Sequence, residues 1–121
     1  MSENIKGKAT RKAAEPVIDL HDDDFGMMLN CAVRYACGRQ SYMPGAVRRY
    51  ITPLLPYLSS KALWCFDQDI SEARHFGNCG DPQIDLPGWI AFHELVREER
   101  VKRGEEPYKG WLEKSHYKMR P

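Results

Sequence analysis

The residues best equipped for chemistry are arginines and tyrosines that lie close together in the first half of the chain. They are Arg34, Tyr35, Arg39, Tyr42, Arg48, Arg49 and Tyr50. Guanidinium groups bind phosphates and carboxylates through two hydrogen bonds at once, and tyrosine rings stack on bases or anchor protein interfaces. Arg34 lies at the end of one predicted helix and Arg39 lies just past it. Arg48 and Arg49 lie on the next helix. A short helical hairpin would bring the four arginines to one surface, which indicates a binding site.

A purely structural interpretation of the same residues stays open. Arginines near a helix C-terminus satisfy free carbonyls and complement the helix dipole, and tyrosines pack with their hydroxyls at the rim of a core.

Trp64 also has two interpretations, because it lies off the apolar stripe of its predicted helix. It is either covered by the C-terminal segment or exposed as an aromatic anchor for a partner.

The carboxylates and histidines form no recognisable catalytic or metal-binding pattern. Asp67, Asp69 and Glu72 are interpreted as a solvated acidic face, since only the last two share helical spacing. His75 and His93 are expected to be surface or boundary residues. The sequence contains no P-loop, no G-x-S-x-G, no H-E-x-x-H and no dinucleotide-binding glycine pattern. A protein without enzyme activity, cofactor or metal is therefore expected.

The cysteines are expected to be free thiols. They are Cys31, Cys37, Cys65 and Cys79. No C-x-x-C pair occurs, and in a reducing compartment such thiols are usually packed as small apolar side chains. A disulfide is the less favoured alternative. So is a zinc site that joins Cys79 to His75, Cys65 or His93, because none of the familiar ligand spacings is present.

Four short helices are predicted to position these residues. Apolar residues recur at i, i+3, i+4 and i+7 over about 24–37, 44–52, 60–76 and 85–103. The predicted fold is all-α, a small irregular bundle of about four short helices with a flexible N-terminal tail. The expected division is a disordered basic tail over 1–18, a helical domain over 19–104, and a C-terminal extension over 105–121. That extension either folds back on the domain or docks a partner.

Several local signals set the expected ends and faces of these helices. The run Asp22-Asp23-Asp24 predicts the start of the first helix, and Gly38 is expected to end it with a positive φ. Met28 is placed on its inner face, and Asn30 and Arg34 on its outer face.

Further signals concern the later helices. Thr52-Pro53 predicts that the second helix stops and that a separate turn follows through Tyr57. Asp85 is expected to cap the fourth helix, with Ile84 and Trp89 as a hydrophobic staple. Gly104 is expected to end that helix.

Composition and charge narrow the class of protein. The 121 residues are 42% hydrophobic and 29% charged, with a formal net charge of +1. The segment 19–103 holds ten bases and twelve acids, for a charge of −2, which counts against duplex DNA as the main partner. No apolar run approaches the roughly 18–20 residues that span a bilayer. The first twenty residues lack the apolar stretch of a secretory signal, so a cytoplasmic location is expected.

Several short segments together resemble small uncharacterised proteins that phages, prophages and other mobile elements of Gram-positive bacteria encode. The segments are Asn30–Tyr35, Gly38–Pro44, Ile51–Pro56, Asp69-Ile70, Gly80-Asp81 and Ile84–Trp89. The resemblance covers about residues 24–99. It implies an intracellular accessory protein of a mobile element that modulates host defence or DNA metabolism, and it supplies no catalytic residue.

The expected function is therefore a non-enzymatic binding module that occupies a surface of a host or phage protein in the bacterial cytoplasm. The site residues expected for it are Arg34, Tyr35, Arg39, Tyr42, Arg48, Arg49 and Trp64. A nucleic-acid-binding regulator that uses the same arginines and tyrosines is the alternative.

Overall fold

The computed structural model describes residues 17–110 and confirms an all-α fold. Within that range it contains four α-helices, one 3-10 helix and no strand. The α-helices are α1 (Asp23–Ala36), α2 (Pro44–Ile51), α3 (Ser60–Phe76) and α4 (Asp85–Lys102), and the 3-10 helix is Thr52–Tyr57. No helix in the described part of the chain has the length and apolar character needed to cross a membrane.

The start of α1 follows the predicted acidic signal, but its end does not follow the prediction. The Asp22 carboxylate accepts a hydrogen bond from the Asp24 N–H at 2.9 Å, which satisfies one free donor of the first turn. The helix is capped by Cys37 in a right-handed conformation. The expected positive φ at Gly38 is wrong, because positive φ values in this loop fall on Ser41 and Met43 instead.

The second helix stops where the Thr52-Pro53 signal predicts, to within one residue. Pro53 has no N–H to continue the α-helical ladder, and the chain tightens into the 3-10 helix. The Thr52 hydroxyl donates to the Arg48 carbonyl at 2.6 Å, so it binds back to the preceding turn rather than capping the next element.

Helix α3 is bounded by the residue types that usually cap helices. The Ser59 hydroxyl accepts a hydrogen bond from the Ala62 N–H at 3.1 Å. Gly77 ends the helix with φ of +70°, a conformation that most other residues adopt only at a cost.

Helix α4 begins at the expected residue, but the predictions of its capping residue and of its hydrophobic staple are wrong. Asp81, not Asp85, accepts hydrogen bonds from the N–H groups of Gln83 and Ile84, at 2.7 and 3.2 Å. Ile84 is 71% exposed while Trp89 is fully buried, so the two do not form a staple. At the other end Gly104 has φ of +84°, as its predicted role requires.

The core lies where α3 packs between α1 and α4. Its buried members are Val33, Ala36, Cys37, Ile51, Leu55, Leu58, Ala62, Leu63, Phe66, Ile70, Cys79, Trp89, Phe92 and Val96. Gly26 permits the close approach of α1 and α3, because a Cβ at this position would lie 2.5 Å from the Cβ of Ala62. Met28, which was expected to face the core, is 58% exposed.

The first residues of the predicted C-terminal extension contact the helices. The Arg100 guanidinium donates to the Glu105 carboxylate at 3.0 Å, and the Arg97 guanidinium donates to the Tyr108 carbonyl at 3.1 Å. Residues 1–16 of the predicted tail over 1–18, and residues 111–121 of the extension, lie outside the described residues. The choice between folding back and docking therefore stays a prediction for that part of the extension.

Candidate functional site

The last turn of α1 directs two of the predicted site residues outward. Val33 and Ala36 are fully buried against the core. Because successive residues of a helix point about 100° apart, Arg34 and Tyr35 between them face solvent. The Arg34 side chain is 66% exposed and Tyr35 is 60% exposed.

The loop between α1 and α2 brings Tyr42 back toward Tyr35. Ser41 and Met43 adopt left-handed conformations, with φ of 52° and 51°, which cost about 1–2 kcal/mol each for residues other than glycine. The Ser41 hydroxyl donates to the Asp85 carboxylate at 3.1 Å and so ties the loop to the start of α4. This turn presents Tyr42 to solvent on the side of Tyr35.

Tyr35 and Tyr42 form an exposed aromatic contact, which we call the tyrosine pair. Their ring centroids are 5.6 Å apart with an interplanar angle of 32°, within the range of favourable aromatic contacts. Tyr42 is 59% exposed, close to the value for Tyr35, and the neighbouring Met43 is 54% exposed. Two large rings thus contact each other while most of their surface remains open to solvent.

Two exposed arginines lie close to the tyrosine pair in sequence. Arg34 lies 3.8 Å from the Asp69 carboxylate, a distance at which an exposed ion pair contributes little. Arg39, in the loop that follows α1, is exposed. Asn30, which was expected on the outer face of α1, is buried and donates to the same Asp69 carboxylate at 2.8 Å, so that prediction is wrong.

Arg49 and Tyr50 form a second exposed contact on α2. The Arg49 guanidinium carbon lies 5.0 Å from the centroid of the Tyr50 ring, a cation–π geometry. Tyr50 is 69% exposed, and Arg49 is exposed as well. The two residues provide a further cationic and aromatic group.

Arg48 does not share the exposure of the other three arginines. Its guanidinium carbon lies 4.9 Å from the centroid of the buried Trp89 ring. Gly88 makes room for this contact, because a Cβ there would lie 2.5 Å from the guanidinium carbon. The prediction that all four arginines share one exposed surface is therefore wrong for Arg48, which packs against α4.

Trp64 makes a contact of its own on α3. Its ring meets that of Tyr108 edge to face, with centroids 6.0 Å apart, and 41% of the residue stays exposed. The segment after α4 therefore covers Trp64 in part, and the ring contact of Trp64 is with Tyr108 rather than with the tyrosine pair.

A buried polar network, which sequence reasoning missed, lies around Asp67 between α3 and α4. One carboxylate oxygen is 2.6 Å from His93 Nε2, and the other accepts from Arg100 at 2.9 Å and from the Tyr108 N–H at 2.8 Å. Asp67 and His93 are both 0% exposed. The predictions of a solvated acidic face for Asp67 and of a boundary position for His93 are wrong, because each finds its partner on a distant segment.

The protonation of this network follows from burial and hydrogen bonding. Burial alone would raise the pKa of Asp67, but hydrogen bonds from His93, Tyr108 and Arg100 outweigh it and hold that pKa below its ordinary value. Burial lowers the pKa of His93 despite the attraction of Asp67. A neutral His93 donates from Nε2 to Asp67, and its Nδ1 accepts from Arg74 at 2.9 Å.

The network contains a serine, a histidine and an aspartate but does not have the geometry of a catalytic triad. Ser71 Oγ lies 3.3 Å from His93 Nε2, the same nitrogen that faces Asp67. In a triad the two ring nitrogens serve the nucleophile and the carboxylate separately. Ser71 is also 0% exposed, so no substrate can reach its hydroxyl. The arrangement stabilises the packing of α3 on α4.

The cysteines and the remaining ligand candidates do not form a metal centre in the described residues. No group of three or more histidine, cysteine or acidic side chains within residues 17–110 is arranged to hold a metal ion. All four cysteines are free thiols, and Cys37 and Cys79 are buried.

Comparisons with protein-family models, with curated proteins and with solved structures each gave no match.

Proposed function

We propose that this chain is a non-enzymatic binding module that occupies a surface of another protein through the tyrosine pair and the arginines beside it. The observation that carries the proposal is the arrangement of Tyr35 and Tyr42. Their ring centroids are 5.6 Å apart, while each residue stays about 60% exposed. Tyrosine and arginine are enriched among the residues that dominate binding energy at protein interfaces.

The local chemistry also indicates what kind of partner surface would fit. Two rings and the Met43 side chain offer an apolar centre, and Arg34 and Arg39 supply positive charge at its edge. A complementary partner presents an apolar patch bordered by carboxylates, with which Arg39 can form paired hydrogen bonds.

The resemblance to mobile-element proteins supports a proposal on the origin and the cellular role of the chain. The segments that carry it include Tyr35, Arg39 and Tyr42. We propose that the chain is a phage or prophage accessory protein of the bacterial cytoplasm, that its partner is a host or phage protein, and that binding modulates host defence.

Site-specific crosslinking tests the proposed surface. A photoreactive phenylalanine replaces Tyr42 in one variant and Tyr57, a 62% exposed tyrosine of the 3-10 helix, in a matched control. Both are irradiated in a lysate of the source cells, with and without nuclease. A discrete protein adduct from position 42, lost on Tyr35→Ser and lacking from position 57, is the expected result.

Other outcomes overturn the proposal. The same adducts from both positions would show nonspecific contact. An adduct that disappears on nuclease treatment and weakens steeply with added salt would instead support the nucleic-acid-binding alternative, which the exposed Arg39 and the Arg49–Tyr50 contact favour.

A further inference from the structure

Two buried thiols meet where two loops of the protein touch. Cys37 caps the end of α1, and Cys79 lies in the loop between α3 and α4. Their sulfur atoms are 3.7 Å apart, and the residues are only 2% and 3% exposed. Although they are 42 positions apart in sequence, the fold places their sulfurs in direct contact.

The surrounding loops hold the thiols in this position. The Ser41 hydroxyl donates to Asp85, which joins the first loop to the start of α4. Gly80, directly after Cys79, has φ of +67°, and a Cβ there would lie 2.5 Å from the same Asp85 carboxylate. To form a disulfide, the sulfurs must approach each other from 3.7 Å to about 2.05 Å.

The two thiols are chemically unequal. The hydrogen bond between the two sulfurs lowers the pKa of Cys79, and the positive charges of Arg74 and Arg48 add to that effect against the opposing effect of burial. The pKa of Cys37 is raised by the same hydrogen bond and by burial. Cys79 is therefore the group that ionises more readily, and thiolates are the reactive form of cysteine.

A small cavity connects this region with the surface. It has a volume of about 120 Å³, and its lining includes Cys37, Gly38, Asp69, Phe76 and Asn78. Cys79 does not line the cavity, but its sulfur lies 3.7 Å from that of Cys37. Since a water molecule occupies about 30 Å³ in the liquid, the cavity has room for a few waters or for hydrogen peroxide. A much larger oxidant, such as the disulfide of a tripeptide thiol, exceeds the volume of this cavity.

We propose that Cys37 and Cys79 are a peroxide-sensitive dithiol that oxidises to an intramolecular disulfide. The Cys79 thiolate attacks one oxygen of hydrogen peroxide, the O–O bond breaks, and the hydroxide released takes up a proton to give water and a sulfenic acid on Cys79. The Cys37 sulfur then attacks the Cys79 sulfur, a second water leaves with the thiol proton, and the S–S bond forms. Both sulfurs are oxidised and the peroxide is reduced.

This inference does not rest on the proposed binding function. Its consequence for the fold is that a covalent bond would join the end of α1, two residues after Tyr35, to the loop before α4. The bond closes a long loop of chain, and a disulfide of this kind stabilises mainly by restricting the unfolded state.

The test uses the full chain with Cys31→Ser and Cys65→Ser, so that only the two thiols in question remain. After treatment with hydrogen peroxide, peptide mapping should find Cys37 linked to Cys79 in the monomer, with full reversal by dithiothreitol. The oxidised form should melt at least about 8 °C above the reduced form. Disulfides between chains, or oxidation of Cys79 to sulfinic acid without a link, would overturn the proposal.

Two single variants in the same background test the assigned roles. With Cys37→Ser, whose hydroxyl can still donate to Cys79 but cannot form a disulfide, a sulfenic acid should persist on Cys79 and be trapped by dimedone when the oxidised protein is unfolded. With Cys79→Ala, Cys37 should stay reduced at the same peroxide dose, because burial keeps its pKa raised and the more readily ionised thiol has been removed. Far-ultraviolet circular dichroism checks that both variants fold, and equal dimedone labelling in the two would contradict the assignment.

Discussion

The Asp67 network and the tyrosine pair use the same kinds of polar and aromatic side chain in opposite ways. Asp67 is fully buried and has partners on α4 and on the segment that follows it. The tyrosine pair is mostly exposed, and its rings contact each other. The Asp67 network joins α3, α4 and the segment after α4. We expect substitutions in the tyrosine pair to leave that packing intact.

The difference follows from the cost of burying charge. A buried carboxylate is tolerated only when its hydrogen bonds are satisfied, so removing one partner leaves an uncompensated charge. An exposed tyrosine keeps its hydroxyl hydrated when the chain folds, so it has no comparable cost of burial. Its apolar surface stays available to another molecule. Stability and binding are therefore expected to depend on separate residues in this protein.

Replacing Asp67 should have the largest effect on stability. Asp67→Ala leaves the buried Arg100 guanidinium with Glu105 as its one remaining carboxylate partner within the described residues, and it removes the acceptor that faces His93 and the Tyr108 N–H. We expect the free energy of unfolding to fall by about 3–5 kcal/mol, as for other broken buried ion pairs. Urea denaturation followed by circular dichroism measures this change.

The matched control for that experiment is Glu98→Ala, an exposed acidic residue on α4. It should change the free energy of unfolding by less than about 0.5 kcal/mol. If Asp67→Ala lowered the free energy of unfolding by less than about 1 kcal/mol, the network would be dispensable for stability. The Asp67 network and the tyrosine pair would then not differ in their contribution to the fold.

Acidification should weaken the same region through His93. Its pKa in the folded protein lies below the ordinary value of 6.5, so the unfolded chain binds a proton more readily than the folded one. The stabilisation is complete above about pH 6.5 and is lost as the pH falls toward the folded pKa. The loss is at most about 1.4 kcal/mol per pH unit.

Asp67 should add to this effect only at lower pH. Its pKa is lowered from 3.8, so its contribution is present above that value and is lost below it. Urea denaturation at a series of pH values between 7 and 5 therefore isolates His93. His93→Gln should flatten the dependence, whereas His21→Gln, at an exposed position, should leave it unchanged. An unaltered slope in His93→Gln would contradict the assignment of a neutral buried imidazole.

The helices could be predicted from the sequence because their signals are local. The acidic run before α1, the Thr52-Pro53 step, Gly77 and Gly104 each act within one turn of the residue concerned. Apolar spacing then identifies the inner face of each helix to a first approximation. These features depend on the backbone and on near neighbours.

The buried network could not be predicted in the same way, because its partners are distant in sequence. Asp67 and His93 are 26 positions apart, and Asp67 and Arg100 are 33 apart. The sequence does contain one clue, since His93, Arg97 and Arg100 recur at helical spacing on α4. A polar stripe of that kind is indistinguishable from a solvated face until the carboxylate opposite it is known.

The candidate surface was predicted in part. The proximity of Tyr35 and Tyr42 follows from a short connection between two helices, which the sequence indicates. The separation of Arg48 depends on the space that Gly88 leaves for its side chain on another helix. Pattern and spacing gave no information on that contact.

Replacing the tyrosine pair should have the smallest effect on stability and the largest effect on binding. Tyr35→Ser with Tyr42→Ser removes two rings that bury little surface, so the free energy of unfolding should fall by less than about 1 kcal/mol. Adduct formation from a photoreactive group at the neighbouring Arg39 position should nevertheless be lost. Tyr57→Ser, a substitution at similar exposure, should preserve both properties. If the double variant instead unfolded as readily as Asp67→Ala, the tyrosine pair would have to be a structural contact, since a surface open to a partner cannot also hold the helices together.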